Sequence, residues 1–137
     1  MKPEHFIREF GVEKAREVVE GHSKAYMPEL FKYWSEELND YVLAPRYASF
    51  LVEDLKRLVD SVELVNNCGG LAIANKITFQ KRLRNEKATH FIQHPENQKL
   101  IQLLGRNQRK PKEAIKFDLF EQAIRDHESI YGGGDDL

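Results

Sequence analysis

YASFLVEDLKRLVDSVELVN, residues 47–66, sets Leu51, Leu55, Leu58, Val62 and Val65 at spacings of four, three, four and three. That heptad rhythm keeps one apolar stripe against a neighbouring helix, and Glu53, Asp54, Lys56, Arg57, Asp60 and Glu63 take the remaining surface. The run is too short for a free-standing coiled coil and reads as the central helix of a bundle, with dimerisation through the same seam as its other use. Further along, Phe117, Phe120, Ile124, His127 and Tyr131 recur at three and four, and Ile115, Ala123 and Ile130 widen the face into a second long amphipathic helix. Gly132, Gly133 and Gly134 end it and open a flexible Gly/acidic tail, residues 132–137.

Shorter helices fill the intervals over about residues 3–20, 28–38, 71–86 and 95–104, the second starting at Pro28, a residue tolerated in a first turn. Asn39-Asp40, Pro45, Gly69-Gly70, Pro95, Gly105 and Pro111 punctuate them, so no loop outgrows a compact bundle. Residues 89–94 are β-branched and aromatic enough for a short extended piece, but a lone strand has no partner, and an irregular connector is expected. The expectation is an all-α fold: one compact helical domain over residues 1–131, a bundle of five or six helices. At 137 residues the chain is long enough to bury such a core without disulfides or a structural metal.

The charge is segregated. Ten of the 21 Lys and Arg residues fall between Lys76 and Lys112, opposed only by Glu86 and Glu96, a formal +8. Residues 1–75 carry −4 and residues 113–137 carry −5, which restores the overall −1 and hides the polarity behind a near-neutral pI. The middle third is therefore suited to phosphates or to an acidic partner protein, and Lys76, Lys81, Arg82, Arg84, Lys87, Arg106, Arg109 and Lys110, with Lys112 beyond them, are the candidate contacts. The alternative is a solvated surface whose charges pair with the acidic flanking helices. Phe79 and Phe91 are the interleaved aromatics, too few for a single-strand stacking platform.

An internal echo runs through the chain. Phe6, Ile7, Phe10 and Gly11 match Leu64, Val65, Cys68 and Gly69 at an offset of 58; Val12, Ala15 and Val18 match Leu71, Ala74 and Ile77 at 59, after one extra glycine. A glycine followed by a helix with alanine on its inner face lets two helices meet at a tight corner, the geometry of a helix-turn-helix. On that reading residues 64–84 form a DNA-binding corner, and Asn75, Lys76, Gln80, Lys81, Arg82 and Arg84 supply base and phosphate contacts. The same corner occurs in any helical bundle, and the usual turn glycine is missing after Ile77.

No reaction emerges from the residues. His90 and His94 lie four apart, but no carboxylate follows His90 as in a zincin, and Pro95 biases His94 away from helical geometry, so neither a metal nor another cofactor is expected. His5, His22 and His127 are scattered, and the pairs Glu36-Glu37 and Glu53-Asp54 are common on solvated helices. The glycine run at 132 has neither the preceding strand nor the following helix of a phosphate loop. Cys68 cannot form an internal disulfide and reads as a small buried side chain suited to a reducing compartment. MKPEHFIREFG lacks the apolar run of a signal peptide or membrane span, which points to the cytoplasm. Among the aromatics, Tyr33 and Trp34 are the candidate anchors of a protein interface, with core packing as the alternative.

FIREFGVEKAREVVEG (residues 6–21), LVEDLKRLVDSVELVNNCGGLAIANKI (51–77), ATHFI (88–92) and YGGGDDL (131–137) together resemble small accessory proteins from the early regions of lambdoid and related tailed phages. The resemblance covers residues 1–92 and carries no catalytic motif. It implies a bacterial host cytoplasm and a non-enzymatic protein that binds host machinery, a defence system or DNA. The strong acidity of DNA mimics is absent.

Overall fold

The computed structural model describes residues 1–43, 46 and 48–132. Pro45, Tyr47 and the tail beyond Gly132, all read from the sequence above, lie outside the described residues. The chain is mixed α/β, which corrects the expected all-α bundle: among the described residues, five helices alternate with two three-stranded antiparallel sheets. The order is α1 (Pro3–Phe10), α2 (Val12–Ser23), β1 (Tyr33–Ser35), β2 (Asp40–Val42), β3 (Phe50–Leu51), α3 (Val52–Asn67), α4 (Leu71–Arg84), β4 (His90–Gln93), β5 (Ile101–Leu104), β6 (Ile115–Lys116) and α5 (Phe117–Tyr131). No described helix is long and apolar enough to cross a membrane.

Four expected segments change. Residues 28–38 form a turn and strand β1, and Asn39, at φ 53, turns the chain into β2. Residues 95–104 form the hairpin turn and β5, while 89–94 hold β4, whose partners are β5 on one side and β6 on the other. The strands are two to four residues long, too short to show alternation in sequence. The helix expected over 3–20 is split at Gly11, whose φ of 91° favours glycine and whose N–H closes α1 on Ile7 O at 2.8 Å.

The chain divides into two compact units, one holding Met1–Asp60 and the end of α5 from Ser129, the other Ser61–Glu128. In the first, Phe6 lies 5.4 Å from Phe50 and 6.4 Å from Trp34, and Trp34 lies 5.1 Å from Tyr41, ring centre to ring centre. In the second, Phe91 takes the central place, 4.9 Å from Phe117 and 4.8 Å from Phe120, with Val65, Cys68, Ala74 and Ile77 packed in the same cluster. Leu55, Leu58, Val62 and Val65, the apolar seam of α3, are fully buried in the chain's own fold, which removes them as a dimer surface.

The two sheets have one topology. Strand orders are β2-β1-β3 and β5-β4-β6. Trp34 stands opposite Tyr41 and Phe50, as Phe91 stands opposite Leu103 and Ile115. Val52 N–H donates to Lys32 O at 2.9 Å, and its counterpart Phe117 N–H donates to Thr89 O at 2.9 Å. From Val52 to Phe117 the helices match at an offset of 65, so that Val52, Leu55, Leu58, Val59 and Val65 correspond to Phe117, Phe120, Ala123, Ile124 and Ile130, all buried. The corners match as well: Ala15 N–H donates to Gly11 O and Ala74 N–H to Gly70 O, and both alanines are fully buried. The echo in the sequence is thus one part of a doubled helix–helix–three-strand–helix cycle in which α3 closes the first copy and opens the second.

Because the corner closes on a methyl group, Ala15→Leu and Ala74→Leu are each expected to cost about 1–3 kcal/mol, seen as a lower urea midpoint. Ala72→Leu on the exposed face is expected to stay within about 0.5 kcal/mol of the native value.

Candidate functional site

Strand register brings part of the basic segment of the second unit together. His90, the first residue of β4, is paired with both Leu104 and Lys116, the end of β5 and the end of β6. Gly105 and Arg106, which follow Leu104, therefore leave β5 at the end of the sheet where residues 85–89 bring the chain in from α4; the rest of the 105–114 connection runs back to enter β6 at Ile115, opposite Phe91. Lys81 and Arg84 in the last turn of α4, Lys87 in the short connection and Arg106 at the start of the long one lie toward that end, Lys110 is tied to it through Arg106 O, and Arg109 and Lys112 follow on the same connection. Glu86 and Glu113 are the carboxylates on these two connections. Cations in a last helical turn also meet the negative end of the helix dipole, which favours them there.

None of these cations is held by a carboxylate. The described residues include no ion pair involving Lys76, Lys81, Arg82, Arg84, Lys87, Arg106, Arg109, Lys110 or Lys112, whereas Arg16–Glu13 and Lys56–Asp60 are paired in the first unit. Pairing with the acidic flanks, part of the alternative reading of the charge run, does not occur among the described residues. Neutral acceptors fix several of them instead: Lys81 Nζ donates to Glu86 O at 2.9 Å and lies 5.5 Å from the Phe117 ring centre, and Lys110 Nζ donates to Arg106 O at 2.8 Å. Arg84 donates to Gln80 Oε1 at 3.0 Å, and Gln80 in turn donates to Lys99 O at 3.2 Å, tying α4 to the start of β5. Such bonds orient the cations without neutralising them.

Lys76 and Arg82 stand apart on the outward face of α4, where Arg82 lies 5.7 Å from the Phe79 ring centre. Lys81, Arg82 and Arg84 thus point three ways, towards Phe117, Phe79 and Gln80, and do not form one row. The helix corner at Gly69 and Gly70 exists, both glycines having positive φ, 114° and 100°. Tyr33 and Trp34 lie side by side in β1, with Tyr33 half-buried and Trp34 only 6% exposed inside the first unit, so Trp34 is a core residue rather than an exposed anchor. Phe91 is fully buried, leaving Phe79 as the exposed aromatic of the basic segment.

The sequence reading missed the polar residues between the cations. Gly105-Arg106-Asn107-Gln108-Arg109-Lys110-Pro111-Lys112 contains no large apolar side chain, and Gln108 Oε1 accepts the Gly105 N–H at 2.6 Å to shape the connection. That absence of apolar residues was the available signal. His90 and His94 prove to lie on and just beyond a strand, with Nδ1 of His90 bonded to Thr89 Oγ1 and Nδ1 of His94 accepting from Glu96 N–H. No group of three or more His, Cys, Asp or Glu suited to a metal occurs among the described residues. Comparison with protein-family models, with characterised proteins and with solved structures matches the chain to none of them.

Burial pushes the Cys68 thiol up to about 11, so it is a packing residue in the cluster around Ala74 and Phe91. A thiol so placed stays protonated at neutral pH and out of reach. Ellman's reagent is expected to leave the native protein unlabelled at pH 8 and to titrate one thiol once the chain is unfolded in urea; rapid labelling of the native state would contradict this placement.

Proposed function

We infer that the protein works by binding, without catalysis, and that the basic end of its second unit engages the phosphate backbone of a nucleic acid. The observation that carries this reading is that Lys81, Arg84 and Lys87 meet the start of the 105–114 connection, with Arg106 and Lys110, at one end of a sheet, and that none of them is in an ion pair among the described residues. A stretch of Arg, Lys, Asn and Gln without large apolar residues suits phosphate and sugar contacts, which need charge and donors. A protein-binding surface usually concentrates its energy in buried aromatic or aliphatic anchors, and residues 105–112 offer none. The resemblance of residues 1–92 to phage accessory proteins fits an infection-time role in a bacterial cytoplasm, on host or invading nucleic acid.

A host or defence protein remains the second reading, supported by the exposed Phe79 and Leu83 on α4. It makes a different demand on the same experiment. Contacts to phosphate release counterions, so the logarithm of affinity falls linearly with the logarithm of salt, by about 0.9 per phosphate contact on duplex DNA. Fluorescence anisotropy with labelled duplex and single-stranded DNA is expected to show binding at low salt with such a slope. An Arg106→Ala, Arg109→Ala, Lys110→Ala triple variant is expected to flatten the slope by about 2–3 and weaken binding at least tenfold. A flat salt response, or no binding to either nucleic acid at low salt, overturns the phosphate reading and directs attention to a protein partner.

A further inference from the structure

The doubled cycle allows each unit to be compared with the other, position by position. Along α2 and α4 the burial of residues 13–23 and 72–82 follows one pattern except at Arg16 and Asn75, so His22 corresponds to Lys81 and, through the offset of the later helices, Val52 to Phe117. In the second unit this place is filled: the Phe117 ring is buried and the Lys81 ammonium lies over it. In the first unit the same place is open. A cleft of about 500 Å³ lies there, walled by Val19, His22, Pro28, Leu51 and Val52, with Glu20, Glu29 and Glu53 around it. That volume is within the range of true ligand sites, roughly 300–1,000 Å³. What the first unit lacks relative to the second is an aromatic ring with a cation beside it.

The cleft's rim is acidic. None of Glu20, Glu29 and Glu53 is in an ion pair among the described residues, and of the two lysines in the lining, Lys56 is held by Asp60 at 3.0 Å, leaving Lys32. The complementary chemistry is displayed on the same chain. Phe79 is 52% exposed and Leu83, four residues on, is 69% exposed. Arg82 lies over the Phe79 ring at 5.7 Å, and Lys76 stands one turn before it, neither of them ion-paired. An apolar pair flanked by two cations faces solvent on α4, and an apolar cleft flanked by three carboxylates faces solvent in the first unit.

We propose that the cleft of the first unit receives Phe79 and Leu83 of α4 from a second copy of this chain, with Arg82 and Lys76 meeting the carboxylates of the rim. The contact joins two different surfaces, so association is head-to-tail and each copy keeps one surface of each kind for a further neighbour. It concerns the outward face of α4 and makes no use of residues 105–112, so it stands or falls apart from the phosphate reading.

Sedimentation velocity on the protein without nucleic acid tests it. The native chain is expected to show a sedimentation coefficient that rises with concentration through the micromolar range and falls again in high salt. Phe79→Ala with Leu83→Ala removes the knob, and Val52→Phe fills the cleft as Phe117 fills its counterpart. Each variant alone is expected to be monomeric. An equimolar mixture is expected to give a one-to-one complex and nothing larger, because only one compatible knob and cleft remain. Should Val52→Phe disturb folding, the exposed pair Glu53→Lys and Arg82→Glu supplies the same information: either change alone weakens association, and the two mixed together or combined restore it. A native protein that stays monomeric at several hundred micromolar overturns the proposal. So do variants that associate like the native chain, or a knobless and a cleft-filled variant that do not combine.

Discussion

Each unit depends on a strand that becomes a helix with no residue between. β3 ends at Leu51 and α3 begins at Val52; β6 ends at Lys116 and α5 begins at Phe117. The first helical N–H, one of the donors a helix start leaves without an internal partner, goes to the carbonyl of the residue that precedes the central strand. With no linker to absorb rotation, the register of the strand sets the phase of the helix. A shift of one residue in β3 would turn its side chains to the other face and carry the helix stripe with it. That coupling explains why the buried positions of α3 and α5 coincide at one constant offset, even though side chains as different as Val52 and Phe117 occupy them.

The long helices were legible because they are long. Five apolar positions at heptad spacing in residues 47–66 and the corresponding run after Phe117 are more than chance periodicity, and both segments are helical where described, from Val52 and from Phe117. The strands were hidden for the opposite reason. Tyr33–Ser35 and Ile101–Leu104 are three and four residues long, too brief to alternate visibly. Residues 89–94 have the composition of a strand, but their partner, 101–104, lies in a segment whose own sequence reads as helix. Pairing is set by the register between two segments, which the composition of either one alone does not contain.

The site was legible in sign and not in shape. Charge counting located the basic third, but which cations share a surface depends on the pairing of β4 with β5, which brings 85–89 and the start of 105–114 to one end. Spacing alone grouped Lys81, Arg82 and Arg84, whereas a helix sets Lys81 and Arg84, three residues apart, near one face and turns Arg82 away from them. The aromatic cluster around Trp34 was ambiguous for a related reason: on a strand, its neighbour in sequence faces away, and only the packing of Phe6 and Tyr41 against the indole decides which of the two is inside.

The echo noticed at the two glycine corners was the trace of the duplication, and its divergence matters more than its similarity. At equivalent outward positions α2 carries Glu17 and Glu20 where α4 carries Lys76 and Phe79, so one scaffold presents opposite surfaces in its two copies. Each copy builds its own core, and salt screens the charges that solvent-exposed side chains carry. Opposite faces therefore cost the fold little. They act between molecules instead: a chain whose net charge is near zero has little general repulsion to keep its copies apart, and local patches of opposite sign then decide how they approach.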